Sequence, residues 1–204
     1  MLTQNQKERI AESVRQAELA TSGEIIPMVI RRSDDYPGAR WRVAVAVSLM
    51  GAFALHLLTP DLDARWYLWC QFPGLALGYW VGSIEKLQRF FMVEYKMADE
   101  VHQRALQAFH ELQLHATRDR TGILIMISLL EHRVEIVADS GISSQLDAKI
   151  WANIVEQLLS KIRAGALTDG LCDAISECGR LLSEKFPRRP DDTNELPNRV
   201  VLED

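Results

Sequence analysis

Residues 4–20 carry Ile10, Val14 and Ala17 at intervals of three and four, which predicts a helix with one apolar face. TSG at 21–23 ends it, and GEIIPMVIRR supplies a short strand from Glu24 to Ile30. Pro27 has no N–H to give a ladder, so that strand is expected at an edge or a bulge. Charge then disappears twice, in VAVAVSLMGAFALHLL at 43–58 and in WYLWCQFPGLALGYWVGSI at 66–84. Residues 94–116 place Met97, Val101, Ala105, Ala108 and Leu112 on one stripe, a long amphipathic helix. GILIMISL at 122–129 is apolar on both faces, as in a central strand. Glu131, His132 and Arg133 make a solvated turn, and RVEIVAD returns as the second strand of an antiparallel hairpin. Ser144 and Asp147 stand in capping positions ahead of Ile150, Ile154, Leu158 and Ile162, a helix that stops near Gly165. Another follows, with Thr168 or Asp169 as its cap and Leu171, Ile175, Cys178 and Leu182 inward. PRRPDDTNELPNRVVLED, from 187, has three prolines and no helical stripe, and reads as a mobile tail.

The two uncharged stretches predict a membrane hairpin. At 1.5 Å per residue they reach roughly 24 and 28 Å, against a hydrocarbon core of about 30 Å. Trp41, Trp66, Tyr67, Trp69, Tyr79 and Trp80 lie toward the span ends, where amphipathic rings prefer the headgroup layer. Arg31, Arg32, Arg40 and Arg42 precede the pair and Lys86, Arg89 and Lys96 follow it, whereas the connecting loop holds only Arg65. That asymmetry places both long polar parts in the cytoplasm and makes the chain a multi-pass protein of the cell inner membrane. Gly74, Gly78 and Gly82 form a smooth face for another helix, either a second membrane protein or a second copy of this chain. A buried hairpin or an oligomer interface is the competing reading.

Composition narrows the function classes. A net charge of −5, from 23 basic and 28 acidic side chains, offers no attraction for nucleic acid. Cys70, Cys172 and Cys178 form no CxxC or CxxH arrangement and suit a reducing compartment. His102, His110 and His115 lack zinc-helix spacing. The polar N-terminus has no apolar core of a signal peptide. The fold class expected is α/β, a three-layer α/β/α sandwich with a small mixed sheet, interrupted by a two-helix transmembrane hairpin. Residues 1–33 and 94–187 build the sandwich, 41–84 the hairpin, and 188–204 the tail.

TSGEIIPMVI at 21–30, TGILIMISLLEHRVEIVADSGI at 121–142, Trp151, IRAGALTDGLCDAI at 162–175 and LLSEKFP at 181–187 together resemble the TPM domain family, named for thylakoid lumen, photosystem II repair and invertebrate receptor-associated members. The resemblance covers about 20–33 and 94–187 and points to the bacterial subgroup with a membrane helical pair inserted after the first strand. It implies a compact α/β/α domain, and family members described as acid phosphatases, as calcium binders or as assembly and repair factors of membrane complexes. Asp139 stands at the aspartate of the family's AD-x-GI motif and Asp169 at the DG of the last helix. Ser140 replaces the arginine many relatives carry there, which removes a cationic group for phosphate.

Two readings of these residues stay open. Asp139 at the end of a buried strand could hold calcium or magnesium with Glu24 and Asp169, since hard ions take six or more oxygens. Such an ion would polarise phosphate and generate hydroxide. Alternatively Asp139 closes the strand as an Asx turn, Gly141 tolerates a positive φ, Ser144 and Asp169 are caps, and Glu24 is an exposed edge residue. No Ser-His-Asp, Cys-His, HExxH or P-loop spacing competes. The function expected is a membrane-anchored interaction or assembly module, with a divalent-metal-dependent phosphatase or other hydrolase as the alternative.

Overall fold

A computed structural model describes residues 2–203. In chain order its elements are α1 (Gln4–Glu18), β1 (Glu24–Ile30), α2 (Pro37–Leu58), α3 (Ala64–Trp69), α4 (Gln71–Val81), α5 (Glu85–Phe90), α6 (Glu94–Glu111), a 3-10 turn (Leu114–Ala116), β2 (Gly122–Ser128), β3 (Arg133–Ala138), α7 (Ser140–Ser143), α8 (Ala148–Arg163), α9 (Leu167–Lys185) and β4 (Val201–Glu203). They form two compact units, Met1–Ser33 with Asp99–Asp204, and Asp34–Ala98.

The first unit is the α/β/α sandwich. Among the described residues its sheet has the order β3-β2-β1-β4, with β1 parallel to β2 and β4, and β3 antiparallel to β2. Side chains alternate across a strand, so a strand covered on both faces must be apolar throughout. Ile25, Val29, Ile123, Ile125 and Ile127 join Ile10 and Val14 of α1 with the inner faces of α8 and α9. Ile26, Met28, Leu124 and Met126 meet Val101, Ala105 and Phe109 of α6. That two-sided burial is why EIIPMVI and GILIMIS show no polar alternation.

Pro27 lies in a strand flanked on both sides, but its missing donor causes no gap. Glu24 N–H bonds the Thr121 carbonyl in the β1–β2 ladder. Alternate residues therefore turn their N–H groups away from β2: Ile25 donates to the Glu18 carboxylate and Arg31 to the Glu203 carbonyl. Pro27 falls between them, where β4 does not reach, because β4 pairs only with Met28–Ile30. The expected edge position holds for half of the strand.

The tail expectation is overturned. Pro187 bridges Thr21, Arg189 pairs with Asp119 at 3.0 Å, Asp191 pairs with Arg118 at 2.9 Å, and β4 extends the sheet. Prolines bar a helix and leave extended chain open. The partners of this segment are distant in sequence, so no local pattern announces them.

In the second unit α2 and α4 pack against each other along the glycine stripe. A Cβ on Gly74 would meet Ser48 Cα at 2.9 Å, and one on Gly78 would meet Ala44 Cα at 2.7 Å. On Gly82 it would lie 3.1 Å from the Arg40 carbonyl. The stripe is thus filled by α2 of the same chain, and the expected self-association through Gly74, Gly78 and Gly82 does not fit this packing. The second apolar stretch is divided at Cys70, since Pro73 offers no N–H to the Trp69 carbonyl one turn earlier. Among the described residues α2 is the one helix long and apolar enough to cross a membrane, and only 17% of its most apolar window is buried.

Candidate functional site

The starts of β1 and β2 and the end of β3 share one end of the sheet. Glu24 stands in register with Gly122, and Asp139 N–H bonds the Gly122 carbonyl. The three residues make one row, with the two carboxylates on either side of a glycine. A Cβ on Gly122 would lie 2.4 Å from the Leu114 carbonyl oxygen, so the 3-10 turn rests directly on the middle of the row. That backbone separates Glu24 from Asp139.

Asp139 caps α7. Its Oδ1 accepts from Ser140 N–H at 2.6 Å and from the Ser140 hydroxyl at 3.0 Å, while its carbonyl accepts from Ile142 and Ser143. Its Oδ2 is buried and unpartnered. Gly141 serves close approach rather than a positive φ, because a Cβ there would strike the Arg120 and Asp119 carbonyls at 2.6 and 2.7 Å. Asp169 lies in the other helical layer, on the first turn of α9, exposed and paired with Arg9 of α1 at 2.8 Å. It caps nothing: α9 begins after Ala166 without a side-chain cap.

The sequence-predicted metal set therefore does not assemble. Among the described residues no three His, Cys, Asp or Glu side chains converge to hold an ion. Glu24, Asp139 and Asp169 are not brought to one point where calcium or magnesium could sit.

A different acidic site emerges beside β1. Glu24 is buried, not an exposed edge residue; its Oε1 accepts from Glu195 N–H at 2.9 Å, and the Leu196 amide also faces its carboxylate. Glu18, at the last turn of α1, accepts from Ile25 N–H at 2.9 Å and from the Asn198 side-chain amide. Both carboxylates line a cavity of about 350 Å³ with Arg15, Thr21, Arg188, Asp192, Asn194 and Asn198. Burial pushes the Glu18 carboxyl up to about 8, opposed by the Ile25 amide and reinforced by the charge of Glu24. Burial raises Glu24 too, and the amides of Glu195 and Leu196 pull it back. One signal in the sequence pointed here: Glu18 sits four residues after Val14, continuing the Ile10–Val14 stripe with a carboxylate.

Glu131 offers a contrast. It is buried, against the expectation of a solvated turn, yet its two oxygens accept from Ser33 N–H and Oγ and from the Ser128 hydroxyl. Its role is to tie the far end of the sheet.

No curated protein matches the chain. An NMR structure of the BA42 protein from the psychrophilic bacterium Bizionia argentinensis is similar, with a TM-score of 0.63, 21% identity, and coverage of 99% of this chain and 95% of that one. That likeness establishes the fold. Residues 85–181, from α5 into α9 and including β2, β3 and the Asp139 turn, match the model of the TPM domain family.

Proposed function

We propose that the protein is a membrane-anchored TPM-like domain, held by a two-helix hairpin in a cell inner membrane with its α/β/α unit in the cytoplasm, and that it acts as an interaction or assembly module for a membrane complex. The observation that carries this reading is the outward apolar surface of the second unit. Met50, Phe53, Leu57, Trp69, Phe72 and Trp80 are all exposed. Burying six such side chains in lipid is favourable by on the order of 10 kcal/mol. α2 has 22 residues, about 33 Å at 1.5 Å per residue, enough for the hydrocarbon core. The flanking arginines and lysines favour the cytoplasmic side for both ends. Because Gly74, Gly78 and Gly82 are occupied internally, a partner's helix would meet the outward face of the pair. The metal-dependent phosphatase reading gains no support from the dispersed carboxylates.

The test is fractionation of cells expressing the full chain, followed by alkaline carbonate extraction. Retention in the pellet is expected. In a cysteine-free background, a single cysteine at Asp61 should react with an impermeant maleimide from outside and one at Ser176 should not. Release by carbonate would sink the anchor, and labelling at Ser176 would sink the topology.

A further inference from the structure

Beside the glycine contact between α2 and α4 runs an open groove. The glycines draw the two backbones together on one face of α4, and Phe72, Ala76 and Tyr79 follow along its flank at intervals of four and three, with Leu75 next to them. Ala76 leaves a gap between two rings. The Trp41 indole of α2 closes one wall, its centroid 5.2 Å from that of Tyr79. The groove has a volume of about 460 Å³ and extends from Phe72 to Tyr79, about 10 Å of helix. Its walls are aliphatic and aromatic, and Trp41, Phe72 and Tyr79 are exposed on it.

Positive charge gathers at one end. A Cβ on Gly82, the cap after α4, would lie 3.2 Å from Arg40 Cα, so Arg40 stands at the end of the helix pair where Trp41 and Tyr79 meet. Arg40 and Arg42 flank Trp41 in sequence. Arg42 gives one donor to the Phe91 carbonyl at 2.9 Å, and the half-buried Arg40 leaves Nε without a partner. Among the described residues neither arginine pairs with a carboxylate.

We infer that the groove holds an acyl chain of an anionic phospholipid, of the phosphatidylglycerol class, whose phosphate is met by Arg40 and Arg42. Guanidinium donors match phosphate oxygens in pairs, and basic sites between helices at the cytoplasmic face suit anionic headgroups. A zwitterionic lipid would bring an ammonium group for which neither arginine offers an acceptor. The groove's section, about 45 Å² from its volume and length, is narrower than a helix, roughly 80 Å² at a diameter of 10 Å. A lipid chain therefore fits where a partner's helix does not. This inference rests on the membrane reading, in which the Trp41 end of the pair lies at the cytoplasmic headgroup layer.

The experiment is native mass spectrometry of the full chain in nonionic detergent, incubated with equimolar phosphatidylglycerol and phosphatidylcholine. Retention of one phosphatidylglycerol is expected, favoured about tenfold over phosphatidylcholine. Arg40→Gln combined with Arg42→Gln should equalise the two lipids. Ala76→Phe, which fills the groove, should lower phosphatidylglycerol retention with both arginines in place, and it decides the matter if the double variant fails to fold. Arg65→Gln, in the loop at the other end of the hairpin, should change nothing. Equal retention of the two lipids by wild type overturns the proposal, as does a preference that survives in the folded variants or is lost equally in Arg65→Gln. Release of the chain by carbonate would sink the anchor and this site together, whereas a carbonate-resistant chain without lipid preference sinks the site alone.

Discussion

Substituting Glu18→Gln removes a partly buried ionisable group while keeping an oxygen that can accept from Ile25 N–H on the open edge of β1. In the folded chain the Glu18 carboxyl sits at about 8 against an ordinary 4.5, with burial as the main cause. The folded state therefore holds a proton that the unfolded state releases, and stability falls as pH rises from about 4.5 to about 8. The slope in that window is at most about 1.4 kcal/mol per pH unit. The side chain is partly reached by water, so about 2 kcal/mol between roughly pH 6 and 8 is the reasonable size after screening. For a chain of this length that is a fall in Tm of about 4–8 °C. Thermal unfolding of the full chain in detergent, followed by circular dichroism, should show the fall in wild type. In Glu18→Gln the slope should shrink to the smaller part of the same sign left by Glu24, whose carboxyl is also raised. The variant should be the more stable protein at pH 8. Parallel melting curves for the two proteins across this range, or a less stable variant at pH 8, would refute the account.

Three further outcomes follow from geometry. Gly122→Ala places a Cβ 2.4 Å from the Leu114 carbonyl, so a fully buried backbone must retreat by about 1 Å; denaturant titration should register a loss of about 2–3 kcal/mol, whereas Gly51→Ala, with open space around it, should be neutral or slightly stabilising. Deleting residues 199–204 removes β4 and the Glu203 partner of Arg104, and hydrogen exchange should quicken at Val29 and Arg31 while β2 and β3 stay protected. Asp169→Asn breaks an exposed pair with Arg9 and should change stability by less than about 0.5 kcal/mol in the same titration.

Local periodicity carried most of the architecture. α1, α6, α8 and α9 bury the stripes read from their spacing, and β2 and β3 form the antiparallel hairpin that the turn between them suggested. What periodicity could not carry was anything fixed by a distant partner. β4 exists because Val201, Leu202 and Glu203 meet Met28–Ile30. Glu131 is buried because Ser33 and Ser128 supply donors from other segments. The site was half legible for the same reason. Glu24 was noticed for its position at the start of β1, but its neighbours Asp192, Asn194 and Asn198 come from the segment read as a tail. Asp139 and Asp169 were joined to it by order along the chain, while the Leu114 turn and the opposite helical layer keep all three apart.

The parallel pairing of Glu24 with Gly122 sets a timetable for synthesis. From Ile30 to Gly122 the ribosome adds about 90 residues, on the order of ten seconds at typical elongation rates. During that interval an apolar strand, EIIPMVI, is outside the ribosome with no sheet to join. Asp34–Ala98 emerges within the same interval, as a unit of its own. In a nascent chain of this design α1, through Ile10 and Val14, can cover one side of β1 at once, while the other side stays open until α6 and β2 arrive.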